Sequence, residues 1–139
     1  MTLLLLLLLA GAEQRTYHPV PLDHVPKRQY TYVETCGLVT YVQRMTPKSA
    51  TCPSCDGDGD WHITLECPRC PRGVLVVEIV PEIPVPEPPR KGQWLRVRGL
   101  RHFDDWHNWY EVRPLGPGTW DEDPFCRAFD RARKGQKRP

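Results

Sequence analysis

From Tyr30 onward the chain breaks into short runs. In each, apolar residues alternate with polar ones or crowd together, and glycine or proline ends the run. Tyr30–Arg44 (Y-T-Y-V-E-T-C-G-L-V-T-Y-V-Q-R) is rich in β-branched and aromatic residues around a central Gly37, and predicts a strand, a bend and a second strand. Val74–Val80 (V-L-V-V-E-I-V) predicts a largely buried strand. Trp94–Leu100 alternates apolar and basic positions and predicts a half-buried strand ended by Gly99, and Trp109–Pro114 predicts another. Pro81–Pro89 holds five prolines in nine residues, which excludes a helix and a central strand and leaves an extended connection. Gln14–Arg28, broken by Pro19, Pro21 and Pro26, reads as linker, Leu115–Asp123 as loop, and Pro124–Ala132 as a short helix or strand. The fold class is mainly β: a small β-sandwich or barrel-like domain.

The bulk numbers narrow this further. At 139 residues the chain has room for one modest domain, and 16 prolines argue against an all-helical one. The formal charge of +2 is unevenly spread. Cys126 to Pro139 carries six basic residues and one acid, while the rest holds 13 of the 19 basic and 16 of the 17 acidic residues. A mildly acidic body with a basic tail lacks the footprint of a domain that is basic throughout, although the tail alone could meet phosphate. Leu3–Leu9 followed by Ala10-Gly11-Ala12 imitates a signal peptide. The run is about half of the roughly 20 residues that span a bilayer, and no Lys or Arg precedes it. The expectation is a cytoplasmic protein whose apolar leader packs on the body or on a partner, with export left open.

Cys52, Cys55, Cys67 and Cys70 form two C-x-x-C pairs in the run C-P-S-C-D-G-D-G-D-W-H-I-T-L-E-C-P-R-C. Each pair can aim two thiolates at one point, and the intervening residues suffice for a hairpin that closes a tetrahedral shell around one structural zinc. Two disulfides or a redox pair are the alternatives. A calcium loop over Asp56, Asp58 and Asp60 fails, because Trp61 stands where glycine is needed and Cys67 where glutamate is needed. Cys36 and Cys126 remain as buried thiols, or as a disulfide if the chain is exported.

Cys52-Pro53-Ser54-Cys55-Asp56-Gly57-Asp58-Gly59 fits C-x-x-C-x-G-x-G and resembles the zinc region of the DnaJ (Hsp40) co-chaperones. The similarity continues through Val76-Val77-Glu78-Ile79, the stretch from Pro89 to Gly99, Tyr110-Glu111-Val112-Arg113-Pro114 and Phe125-Cys126-Arg127. It implies a zinc region inserted into the first substrate-binding β-domain, with Gly57, Gly59 and Gly73 supporting the knuckles. Two knuckles in place of four imply one zinc in place of two. There is no J-domain; His18-Pro19-Val20 lacks the acid of its signature.

These readings divide the chain into an apolar leader (1–12), a linker (13–29), a β-domain (30–50 and 74–130), a zinc-binding insertion (51–73) and a basic tail (131–139). The resemblance implies a non-enzymatic module that engages extended or unfolded polypeptide by strand addition. The alternative is a small zinc-ribbon protein that binds nucleic acid, using the tail, Arg96, Arg98, Arg101 and the tryptophans. Trp94, Trp106, Trp109 and Trp120 are expected in the core or its rim, and Trp61 exposed. The one acid–histidine cluster, His102, Asp104, Asp105 and His107, reads as a polar loop that could also hold a metal or a proton.

Overall fold

A computed structural model describes residues 15–53, 55–68, 70, 73–123 and 126. Among these residues seven strands form one sheet: β1 (His18–Pro19), β2 (Tyr32–Arg44), β3 (Trp61–Glu66), β4 (Val74–Ile79), β5 (Trp94–Asp104), β6 (Trp109–Arg113) and β7 (Trp120–Glu122). Their order is β1-β2-β3-β4-β6-β5-β7, and β2 also pairs with β5. The additional pairing closes β2, β3, β4, β6 and β5 into a five-stranded barrel. All ladders among the five are antiparallel except β4 with β6, which is parallel.

The closure depends on the length of β2. Its first half, Tyr32 to Leu38, pairs with β5, and its second half, Leu38 to Arg44, pairs with β3. Gly37 lies at this handover, so the expected bend is the curl of one continuous 13-residue strand. Alternation fills the interior. Val33, Val39, Ile63, Leu65, Val77, Ile79, Val97 and Val112 are all buried in one core, each two residues or a strand away from its neighbours.

Three stretches depart from the sequence expectation. β5 runs through Gly99 to Asp104, and the loop after β6 contains β7, which pairs with β5 at Leu95–Val97. Residues 15–29, read as linker, pack on the barrel. The 3-10 turn Leu22–Lys27 buries Leu22 and Val25, and Arg101 donates to the carbonyls of Val25 (2.7 Å) and Pro26 (2.9 Å). The third is the cysteine segment. Its middle is β3, a barrel strand, so residues 51–73 are not an inserted hairpin. The leader, the basic tail and most of Pro124–Ala132 lie outside the described residues.

Candidate functional site on the outer face of β3, β4 and β6

The same alternation that sends Ile63, Leu65, Val77, Ile79 and Val112 inward sends His62, Glu78, Glu111 and Arg113 to the outer face. The register sets His62 opposite Glu78 and Asp104 opposite Trp109. The loop between β5 and β6 closes over one end of this face, and the 45–60 loop, with Asp60, borders it.

The side chains form a connected set. His62 Nε2 lies 3.3 Å from Glu78 Oε2. Arg113 Nε lies 3.0 Å from Glu78 Oε1 and 2.6 Å from Glu111 Oε1. Trp109 Nε1 donates to Glu111 Oε2 at 3.3 Å. The His107 ring stacks on Trp109 at 4.4 Å, and its Nδ1 lies 2.6 Å from Asp104 Oδ2. Glu111 is fully buried, and His62 and Glu78 nearly so.

Electrostatics follow from that burial. The hydrogen bond to His62 holds the Glu78 carboxyl below its usual range against burial, with help from Arg113. Burial works against a charged imidazole at His62, yet the Glu78 hydrogen bond and the nearby acids leave its pKa above the ordinary value. Burial, and then Glu78, pushes Glu111 up, with Arg113 opposing. Burial and the neighbouring Glu78 and Asp58 raise Asp60 to about 6. Asp60, Glu78, Asp104 and Glu111 share one face with Arg113, His62 and His107, and Asp60, His62 and Glu78 bring donor atoms within 4.8 Å of one another.

The expected metal centre is arranged differently. Cys52 and Cys55 lie at the end of β3 next to Gln43 and Arg44, with Gln43 Nε2 2.6 Å from Cys52 Sγ. Cys67 and Cys70 follow the other end of β3. Six strand residues at about 3.3 Å each put roughly 20 Å between the pairs, too far for one ion. The four thiols do not converge as a zinc quartet. Each pair is a disulfide, as is Cys36–Cys126. Gly57 and Gly59 have φ of 83° and 80°, the left-handed turn expected of them, but they turn the loop before β3. Gly73 returns the chain beside Cys67 and accepts its N–H at 2.8 Å.

The other candidates also move. Arg96 pairs with Glu34 and Asp123, Arg98 pairs with Glu34, and Arg101 holds backbone carbonyls and covers Tyr110 at 4.4 Å. These arginines hold the barrel together. Trp61 packs against the core, and Trp106 is the exposed tryptophan, at 88%. Of the acid–histidine cluster, Asp104 and His107 meet. The sequence reading missed His62, Glu78, Glu111 and Arg113. The available signal was a lone acid in V-L-V-V-E-I: on a strand otherwise apolar, Glu78 is a buried charge that requires a partner.

No protein-family profile matches the chain, and no curated protein does. Among solved structures it resembles a replication protein A heterotrimer bound to ssDNA, with TM-score 0.55, 13% identity, and coverage of 85% of this chain and 91% of that one. It also matches an S. pombe Stn1–Ten1 complex (TM-score 0.47, 12% identity, 75% and 68% covered). A third match is the telomere capping protein Ten1 from Saccharomyces pombe (TM-score 0.44, 12% identity, 87% and 100% covered). The first likeness agrees with the closed five-strand barrel and gives an OB-fold-like architecture. It overturns the DnaJ resemblance and, with it, the reading of the chain as a zinc-finger chaperone. The knuckle motif matched locally, while the strands around it close a different fold. No helix among the described residues is long and apolar enough to cross a membrane.

Proposed function

We propose that this chain is a non-enzymatic binding module that takes single-stranded nucleic acid across the outer face of β3, β4 and β6. The observation that carries the reading is Trp106. It stands almost fully exposed on the β5–β6 loop, beside the stacked His107–Trp109 pair. Barrels of this architecture bind oligonucleotides on the corresponding strands and loops. Bases stack on aromatic faces without regard to sequence. The face is acidic and the barrel arginines are engaged, so stacking supplies the affinity and phosphate contacts little.

The test is a titration of the full chain with a short single-stranded DNA and RNA, read by tryptophan quenching at low and high salt. Saturable quenching with a shallow salt slope is expected. Absence of quenching by both oligonucleotides sinks the reading. The acidity of the face favours one second occupant, a basic protein segment. That reading predicts capture of an Arg/Lys-rich peptide in place of the oligonucleotides, with affinity falling steeply as salt rises.

A further inference from the structure

We propose that Asp60, His62 and Glu78 form a binding site for one divalent transition ion of the Zn2+ or Mn2+ class. The site goes beyond the nucleic-acid reading and stands without it.

The ligand atoms come from three fixed places. His62 and Glu78 are cross-strand partners on β3 and β4, and Asp60 is the residue before β3. Their donor atoms lie within 4.8 Å of one another. Two N or O donors on a common tetrahedral ion stand about 3.4 Å apart, given bonds of about 2.0–2.2 Å. His62 Nε2 and Glu78 Oε2 already stand at 3.3 Å. A small inward movement of Asp60 completes a three-ligand cap, and its half-exposed position leaves the remaining coordination to water.

The supporting shell is present as well. Arg113 holds the other Glu78 oxygen, Oε1, and is itself fixed by Glu111, so the carboxylate presents Oε2 to the ion in one orientation. Glu78 and Glu111 are more than nine-tenths buried, and their counter-charges are Arg113 and a protonated His62. A bound ion leaves His62 neutral and takes over as counter-charge to the carboxylates. An imidazole with two carboxylates suits Zn2+ or Mn2+, whereas an all-oxygen set would suit Mg2+ or Ca2+. The ion would take the place of the proton shared by His62 and Glu78, so binding releases a proton and tightens as pH rises.

The experiment is calorimetric titration of the full chain with Zn2+, Mn2+ and Mg2+ separately. The protein is first stripped with chelator, and a thiol assay confirms that its cysteines are oxidised. One Zn2+ or Mn2+ per chain is expected, with Mg2+ weaker, and Asp60→Asn and His62→Gln each lowering the affinity at least about tenfold. Asp60 is less buried than His62, so Asp60→Asn decides the matter if His62→Gln fails to fold. The proposal is overturned if neither Zn2+ nor Mn2+ binds. It is equally overturned if folded Asp60→Asn binds as tightly as the parent, or if the bound metal survives both changes and disappears when the cysteines are alkylated. Because no nucleic acid is present, its failure is separate from that of the proposed function.

Discussion

His62 and Glu78 face each other across the β3–β4 ladder, Nε2 to Oε2 at 3.3 Å, each held by a different strand of a closed barrel. The folded state raises the pKa of His62 and lowers that of Glu78. The signs then fix a window. The Glu78 contribution is present above its ordinary value of 4.5 and is lost as pH falls through its lowered folded value. The His62 contribution is present below its ordinary value of 6.5 and is lost as pH rises through its raised one. The pair stabilises most between the two ordinary values. In chelator, Glu78→Gln is expected to cost about 1–3 kcal/mol near pH 5.5 by denaturant melting, and less near pH 8. An equal loss at both pH values would show that the pair is not ionic.

Asp60 gives the opposite trend. Burial, Glu78 and Asp58 raise it from 3.8 to about 6, so the folded state holds its proton more tightly than the unfolded chain. Its ionisation weakens the fold as pH rises from about 4 through about 6. Asp60→Asn is expected to flatten that decline in metal-free protein, seen as a smaller change in melting temperature across the window. An unchanged pH profile would remove Asp60 from the coupled face. Added Zn2+ or Mn2+ should reverse the trend in the parent and leave the variant unmoved.

Strands β4, β5 and β6 were legible because each carries its own period: V-L-V-V-E-I, W-L-R-V-R and W-Y-E-V-R can each be read without knowing a partner. Closure was not legible. It rests on β2 pairing with both β3 and β5, and on the parallel β4–β6 pairing, contacts made by residues far apart in the chain. The cysteines misled for the same reason. Their spacing is a local signal, and W-H-I-T-L-E between them alternates as a barrel strand should, which separates the two pairs by the strand's own length. Asp104 and His107 were found because they are neighbours in sequence; His62, Glu78 and Glu111 meet only through register.

Gly99 tests the closure directly. A Cβ there would stand 2.5 Å from the Arg113 carbonyl oxygen and 2.7 Å from Val112 Cγ1, and the first obstacle is backbone that cannot rotate away. Gly99→Ala is expected to cost roughly 1–3 kcal/mol by forcing β5 from β6. Gly116→Ala, where nothing lies within 4 Å, serves as the neutral control. Equal melting of the two variants would argue against the tight β5–β6 approach.

The three disulfides differ in what they close. Cys36–Cys126 spans 90 residues and ties β2 to the chain beyond β7, whereas Cys52–Cys55 and Cys67–Cys70 each span three. Loop-closure entropy grows with the loop, so Cys36→Ala with Cys126→Ala is expected to cost about 2–4 kcal/mol, and either short pair replaced by alanine clearly less. Thiol titration of the protein unfolded under oxidising conditions should find none free. Four reactive thiols, with only Cys36 and Cys126 protected, would show that the C-x-x-C pairs are not disulfides.

Trp106 and Trp109 separate binding from stability. Trp106 is 88% exposed and its ring has no stacking partner among the described residues, so Trp106→Ala should leave the melting temperature within about a degree. If single-stranded nucleic acid lies across this face, the same change removes one stacked base, a loss of about 5- to 150-fold in affinity. Trp109 differs because its ring carries His107 at 4.4 Å and its Nε1 satisfies buried Glu111. Trp109→Ala should therefore lower both affinity and stability, and Trp109→Phe should recover the stacking while leaving Glu111 one donor short. Equal binding by the parent and Trp106→Ala would move the nucleic acid off this face. An equal loss of stability in the two alanine variants would mean that the β5–β6 loop packs closed over the barrel and that Trp106 is not presented to a partner.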